Sequence, residues 1–205
     1  MGVIDKTFWE DKHGVSDKYW LTGSSLKEIM TLHDISEDDL TDTKVLEIGV
    51  GLGTLSRDIF KYTTDLLCCD ISEKALECVN PNVTKKYLTT DLSKIEPVDL
   101  GICHLVFQHC TDGEIERIIN DIVLTDKGVF TFQFAFLRDG EKPNTNVQNL
   151  IELGSHHFRS IETIEKMVNK AGKEIVWTSN PYHYYEPENF SWFMVKIKNK
   201  NKNNG

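Results

Sequence analysis

The stretch VLEIGVGLGTLS, residues 45–56, decides the fold of this chain. Its first four residues are mostly apolar and predict a short buried strand, and glycines follow at positions 49, 51 and 53. Glycine lets the backbone turn sharply and lets a ligand approach with no Cβ in the way. Thr54 begins a segment with apolar residues at helical spacing, so the N–H groups of its first turn point toward the glycines. The stretch therefore predicts a strand, a nucleotide-binding turn and a helix.

The spacing of these glycines departs from the dinucleotide fingerprint. That fingerprint, G-x-G-x-x-G, requires glycine or alanine at position 54, where this chain has Thr54. The third glycine comes one residue early, and an acidic residue, Glu47, lies two residues before the first. The glycine cluster alone leaves a nucleotide site and an ordinary tight turn both open.

Strand and helix patterns alternate from about residue 24 onward, which predicts right-handed βαβ units and a mostly parallel sheet in an α/β fold. The predicted strands are 45–48, 66–69, 86–88, 98–103, 128–136, 174–178 and 192–197. The predicted helices are 24–33, 54–62, 72–79, 111–122 and 160–171. No helix separates the last two strands, so we expect them to form an antiparallel hairpin at one edge.

The length of 205 residues favours one domain, which we place at residues 1–200. Within it, residues 1–44 predict a helical lead-in, and the polar, irregular stretch 137–159 predicts a lid on the substrate side. The last residues, 201–205, have the composition of a disordered tail.

Composition excludes several classes of function. The net charge of −9 argues against sequence-independent binding of nucleic acid, which requires a basic surface. No apolar stretch is long enough to span a membrane, and residues 1–14 lack the apolar core of a secretory signal. The five cysteines form no C-x-x-C pair, so we expect free, mostly buried thiols, a cytoplasmic location and no metal site. The sequence does not indicate an oligomeric state.

Acidic residues follow the second and third strands. Asp70 ends the second strand, where a carboxylate can accept both ribose hydroxyls of a nucleotide; the alternative is a cap for the next helix. Asp91 follows the third strand, where it can meet an adenine amino group; the alternative is a turn residue.

Four motifs in this order resemble those of the class I S-adenosylmethionine (SAM) dependent methyltransferases. They are EIGVGLG, CCDIS, TTDLS and VDLGICHLVFQHCTDGEIERIINDI, and the resemblance covers residues 44 to about 135. It implies a doubly wound, seven-stranded, mostly parallel sheet with one antiparallel edge strand, and SAM as the cofactor.

The resemblance also implies which residues contact SAM. Glu47 and the three glycines would border its amino-acid part, and Asp70 its ribose. The adenine and the methionine portion would meet residues after the second, third and fourth strands: Ile71, Asp91, Leu92, His104 and Leu105. Tyr19 and Trp20 would close over the cofactor, or pack within the lead-in.

Methyl transfer to an alcohol requires removal of a proton, which histidine does well near neutral pH. His109, just before the capped helix, is the first candidate for a general base, and His104 is the alternative. His156 and His157 lie beside the predicted lid, where they contact a substrate or remain solvated. Tyr182 and Tyr184 are candidates for an acceptor pocket, since flat aromatic faces suit sugar or apolar rings.

The sequence thus favours an enzyme that transfers a methyl group from SAM to a small molecule, with a hydroxyl of a sugar or glycoconjugate precursor as the preferred acceptor. The alternatives are N-methylation of a small amine and methylation of another natural product. Two other classes stay open: a NAD-dependent oxidoreductase, and a catalytically silent subunit that keeps the fold.

Overall fold

Seven strands form one sheet in the computed structural model, which describes residues 6–13, 25–137, 156–181 and 190–200. The strands are β1 (Val45–Ile48), β2 (Leu66–Asp70), β3 (Lys85–Leu88), β4 (Val98–Cys103), β5 (Leu124–Leu137), β6 (Lys173–Thr178) and β7 (Phe190–Asn199). Tyr19, Trp20, Tyr182, Tyr184, most of the predicted lid and the tail 201–205 lie outside the described residues.

The strand order is β3-β2-β1-β4-β5-β7-β6. The first five strands of this order pair in parallel, and β7 pairs antiparallel with both β5 and β6. The predicted parallel sheet and terminal hairpin are confirmed. The single reversed strand, β7, lies one place in from the edge, because the crossover after β5 sets β6 parallel to β5 with room for one strand between them.

Helices cover both faces of the sheet. They are α1 (Lys6–His13), α2 (Leu26–Leu32), α3 (Glu37–Leu40), α4 (Thr54–Ile59), α5 (Glu73–Cys78), α6 (Asp112–Asp121) and α7 (Ile161–Lys170). Two 3-10 helices, Thr89–Lys94 and Phe107–His109, follow β3 and β4. The helix starts predicted at Ser24 or Ser25, Ser72, Thr111 and Ser160 are confirmed, with Ser25 as the cap of the first. Each of these capping side chains accepts a backbone N–H three residues on.

The core divides into two layers, one on each face of the sheet. On one face, the isoleucines of α6 and the phenylalanines of β5 form a cluster that includes Ile115, Ile118, Phe130, Phe132 and Phe134. On the other face, α2, α4 and α5 contribute buried Ile29, Ile59 and Ala75. Because side chains alternate along a strand, residues 131, 133 and 135 of β5 face the α2 side.

The cysteines agree with the prediction of free thiols. Cys68, Cys69 and Cys103 are buried, Cys110 is half-buried and Cys78 is exposed, and none is in a disulfide. Among the described residues, no helix combines the length and apolar character needed to cross a membrane.

Candidate functional site

The candidate site lies at the carboxyl ends of β1, β2 and β4, where their loops meet. Gly49, directly after β1, has a φ of +81°, and a Cβ built there would lie 2.1 Å from Cγ2 of Val106. Only glycine therefore lets the loop after β1 pack against the loop after β4. The backbone N–H of Gly49 donates to the carbonyl of Cys69 at 2.7 Å, which ties the same loop to β2.

Gly51 stands at the open part of this loop. Its φ is +52°, and a Cβ built there meets no atom within 4 Å. The left-handed backbone explains the glycine in part, and the open space leaves room for a ligand directly against the main chain. Gly53 N-caps α4, so the first turn of that helix begins at the end of the loop.

Asp70 lies beside this open space, at the end of β2. The side chain is buried, and its Oδ2 accepts from the N–H of Gly51 at 3.3 Å while its Oδ1 accepts from the N–H of Ser72 at 2.9 Å. The cap of α5 is provided by Ser72, whose hydroxyl accepts from Ala75. The structure thus brings together Asp70 and the glycine loop, as the sequence predicted.

Glu47, in β1, adds a second buried carboxyl group. Its side chain is 3% exposed, and Oε2 has no hydrogen-bond partner among the described residues. Burial raises the pKa of Glu47 well above its ordinary value, and the charge of Asp70 raises it further. A buried carboxyl oxygen without a donor is costly, and a cationic or N–H-bearing ligand would satisfy it.

The three residues expected around the adenine lie in different environments. Asp91 lies in the 3-10 helix after β3 and pairs with Nζ of Lys94 at 2.5 Å, on the surface. Leu92 is buried in the core, so its side chain packs within the protein. Ile71 is half-buried directly after Asp70, at the same strand end.

The loop after β4 carries His104 and Leu105. Leu105 has a φ of +57°, rare for a non-glycine residue, and its N–H donates to Oε1 of Gln133 at 3.1 Å. Nδ1 of His104 lies 3.0 Å from Nε2 of His33, and Nδ1 of His33 lies 2.7 Å from the hydroxyl of Thr131. Burial lowers the pKa of His104 to about 4.

His109 lies at the end of the second 3-10 helix, half-buried between two aromatic rings. Its ring centroid is 5.1 Å from that of Trp9 in α1 and 5.0 Å from that of His156. Nε2 of His109 lies 3.1 Å from the side-chain Nε2 of Gln108. The backbone carbonyl of Gln108 accepts the backbone N–H of His157 at 2.7 Å. The structure therefore groups three of the histidines that the sequence singled out.

Burial, together with the neighbouring His109 and His157, lowers the pKa of His156 to about 4. Burial also lowers the pKa of His157. No group of three or more His, Cys, Asp or Glu residues suited to a metal ion occurs in the part of the chain that the structure describes.

The role of Arg159 is visible only in the structure. Its side chain is 3% exposed and donates to Oδ1 of Asp112 at 2.7 Å, to the carbonyl of Phe107 at 3.1 Å and to that of Cys110. These contacts hold both ends of the segment that carries His109. His33 and Gln133 were also missed, because each looks like an ordinary core residue until the chain brings it next to the loop after β4.

A second feature of the molecule is a recess between α2, β6 and β7. Its volume is about 330 Å³, and its lining includes Leu32, Trp177 and Met194. Leu32 and Trp177 belong to the same apolar cluster as Leu105. Its size is that of a small-molecule site.

Comparisons with known proteins agree with this geometry. Residues 46–131 match a family described as Methyltransferase domain. A curated relative, ribosomal RNA small subunit methyltransferase A of Natranaerobius thermophilus, is 26% identical over 72 residues. That match covers 35% of this chain and only 22% of the relative's length.

Two solved structures match nearly the whole chain. The N-methyltransferase NodS of Bradyrhizobium japonicum, in complex with S-adenosyl-L-homocysteine (SAH), has a TM-score of 0.67 at 14% identity, with 95% of this chain and 97% of that chain covered. Magnesium protoporphyrin IX methyltransferase of Synechocystis, with bound SAH, has a TM-score of 0.64 at 15% identity, with 96% and 100% covered.

The family match spans β1 to the middle of β5, which is the part of the sheet that carries Glu47, Asp70 and the glycine loop. Residues 46–131 therefore match the methyltransferase-domain family, and the chain has the Rossmann-like, seven-stranded fold of the SAM-dependent methyltransferase structures to which it is similar.

Proposed function

We propose that this protein binds SAM at the loop after β1 and transfers its methyl group to a small-molecule acceptor. One observation carries the proposal. The open space at Gly51, the buried carboxylate of Asp70 and the unpartnered Oε2 of Glu47 meet at adjacent strand ends, in the domain that matches the family.

These residues fit the parts of SAM. Asp70 would hold the ribose hydroxyls, which donate to a carboxylate, and its own contact with Gly51 fixes its orientation. Glu47 would face the cationic amino group, which compensates a buried carboxylate. Ile71 would pack on the adenine and Asp91 would lie at its amino group. When bound, SAM supplies a methyl group activated by its sulfonium; the protein positions the acceptor and excludes water.

The preferred acceptor is a hydroxyl on a sugar or glycoconjugate precursor. The recess of about 330 Å³ suits a ring-sized molecule, and Trp177 provides a flat aromatic face at its wall. The net charge of −9 disfavours a polyanionic acceptor such as RNA. Solved structures with this fold include both a mitomycin 7-O-methyltransferase and N-methyltransferases, so a small amine is the alternative acceptor.

We assign the general base to His109 in preference to His104. His104 accepts a proton poorly at neutral pH, because burial holds its pKa at about 4. His109 is half-buried, and the rings of Trp9 and His156 fix its orientation. In this assignment the Gln108 amide turns its oxygen to Nε2–H of His109, and Nδ1 is the nitrogen that accepts the proton. His156 and His157, which precede α7, would complete the acceptor side.

Calorimetric titration of SAM and SAH tests the cofactor. We expect saturable binding of both, and no binding at millimolar concentration would overturn the proposal. A screen with methyl-labelled SAM over nucleotide sugars, small amines, phenols and ribosomal RNA then identifies the acceptor. Label in the sugars supports the preferred acceptor, and label only in amines or in RNA contradicts it.

His109→Gln tests the base while keeping a polar side chain. We expect a 100-fold or larger loss of kcat with SAM affinity unchanged, because general-base catalysis contributes about 10²–10⁴-fold. His156→Gln is the comparison variant: it alters a ring that contacts His109 and lies on the proposed acceptor side, so we expect a smaller loss of kcat. Unchanged kcat in His109→Gln would remove His109 from the chemistry.

A further inference from the structure

We propose that His33 and Thr131 are positioning residues that hold His104 with its ring proton on Nε2. The loop after β4 then presents an imidazole N–H donor. The use of that donor rests on the proposed function, but the position of the proton can be measured without it.

The proposal starts from a continuous hydrogen-bonded chain across the α2 face of the sheet. Thr131 lies in β5 and is fully buried, His33 caps the carboxyl end of α2 and is fully buried, and His104 follows β4. The contacts are 2.7 Å from the Thr131 hydroxyl to Nδ1 of His33, and 3.0 Å from Nε2 of His33 to Nδ1 of His104. Both ring nitrogens of His33 are thus engaged.

The hydroxyl of Thr131 sets the direction of this chain. Within the described residues, the Thr131 hydroxyl forms one hydrogen bond, and its partner is Nδ1 of His33. If Thr131 accepted a proton from His33, its own buried O–H would have no acceptor, at a cost of about 1–3 kcal/mol. The hydroxyl therefore donates to Nδ1 of His33.

The donor at Thr131 also determines the hydrogen-bond role of the second ring nitrogen of His33, because His33 is neutral. A charged ring would need acceptors at both nitrogens, and it would lie buried near a lysine, Lys196, whose strand position pairs with Thr131. Burial, His104 and Lys196 all lower the pKa of His33. A neutral imidazole has one donor and one acceptor nitrogen, so His33 accepts at Nδ1 and donates from Nε2.

The last step concerns His104. Its Nδ1 accepts a hydrogen bond from Nε2–H of His33, so the neutral ring of His104 carries its own proton on Nε2. A ring in this state cannot act as a base at Nε2. It can only donate there, to an oxygen lone pair of a carboxylate, a carbonyl or a hydroxyl. His104 is therefore a hydrogen-bond donor and not a base, in keeping with the assignment of the base to His109.

Long-range ¹H–¹⁵N NMR of the histidine rings at pH 7 tests the proposal. Signals are assigned with His104→Gln and His33→Gln. In the wild-type protein we expect His104 to have a protonated Nε2 and an unprotonated Nδ1. Thr131→Ser keeps the hydroxyl and is the matched control, in which we expect the same tautomer.

Thr131→Val removes only the hydroxyl, and we expect a measurable share of His104 to move its proton to Nδ1. His33→Gln can still donate an amide N–H to His104 and should preserve the tautomer, whereas His33→Phe should not. If His33→Phe fails to fold, the His104 tautomer in Thr131→Val alone tests the proposal.

Two results would overturn the proposal: a proton on Nδ1 of His104 in the wild-type protein, or an unchanged His104 tautomer in Thr131→Val. Absence of SAM binding by calorimetry would overturn the proposed function and leave this measurement unaffected.

Discussion

Single residues at the glycine loop combine two constraints, one from the backbone and one from the ligand. Gly49 has both a positive φ and a close neighbour, Val106, so its replacement would disturb the fold whatever the ligand. Gly51 has a positive φ but open space, so its replacement separates the two effects. Gly172, at the end of α7, has a φ of +69° and open space as well, yet it lies far along the chain from the loop.

The pair Gly51→Ala and Gly172→Ala tests whether the open space at Gly51 is a ligand site. Each should lose about 1–2 kcal/mol of unfolding free energy in urea, because alanine is disfavoured in left-handed backbone. Only Gly51→Ala should lose SAM affinity, by ten-fold or more, because its methyl group occupies the cofactor's space. Equal SAM affinities in the two variants would show that the cofactor lies elsewhere.

Glu47 makes stability depend on pH. Its folded pKa is raised above the unfolded value, so the folded protein binds the proton more tightly. Between the unfolded pKa near 4.3 and the folded pKa, the contribution of Glu47 to stability therefore falls as pH rises. Glu47→Gln should flatten this decline in urea unfolding from pH 4 to 8. Glu77→Gln, at an exposed position, is the control, and an equal decline in wild type and Glu47→Gln would contradict the assignment.

Much of this site could be predicted at the residue scale. Asp70 and the glycines are recognisable because a strand end and a glycine turn have local sequence patterns. His33 and Arg159 could not be found in this way, because their partners lie 71 and 47 residues away along the chain. Contacts over such distances depend on how the sheet folds, which no short motif records.

At the scale of elements, the segment between β4 and α6 depends on one buried arginine. Arg159 contacts Phe107, Cys110 and Asp112, and its own N–H donates to the carbonyl of Ala135 in β5. The side chain of Asp112 is 64% exposed, so the interaction relies on the backbone carbonyls as much as on the ion pair. This arrangement joins the start of α6, the end of β5 and the residues before α7.

Arg159→Lys keeps the charge but loses the planar fork that reaches several oxygens. We expect a loss of about 2–4 kcal/mol in unfolding free energy and a reduced kcat, since His109 lies within the segment that Arg159 holds. Arg117→Lys is the control, because Arg117 is 40% exposed and donates to a single carbonyl, that of Thr89. Equal stabilities of the two variants would show that Arg159 does not organise the segment.

Element positions followed the sequence closely where periodicity and capping agreed. β4 and the start of α6 match the predicted bounds, since an apolar run and a Thr-x-x-Glu capping box are both local signals. β5 begins at Leu124, four residues before its predicted start, because pairing with β4 extends it through polar residues. α3 was missed, because four residues contain too little periodicity to be recognised.

For the whole molecule, charge and fold act together to select the cofactor. The net charge is −9, and the site itself contains the carboxyl groups of Glu47 and Asp70. This environment disfavours the pyrophosphate of a dinucleotide and favours a ligand with a cationic amino group. The glycine spacing, which differs from the dinucleotide fingerprint, points in the same direction.

Ligand-dependent melting distinguishes the two cofactor classes on the intact protein. A ligand at 100 times its Kd adds about 2.7 kcal/mol of stability if it binds only the folded state. For a chain of this size, that corresponds to a rise in Tm of roughly 5–11 °C. We expect SAH to produce such a rise and NADH to produce none at the same concentration. Asp70→Asn should fold but lose most of the SAH-dependent rise, because a neutral amide binds the ribose hydroxyls less strongly. A rise with NADH, or an equal rise with SAH in wild type and Asp70→Asn, would contradict the placement of the cofactor at the end of β2.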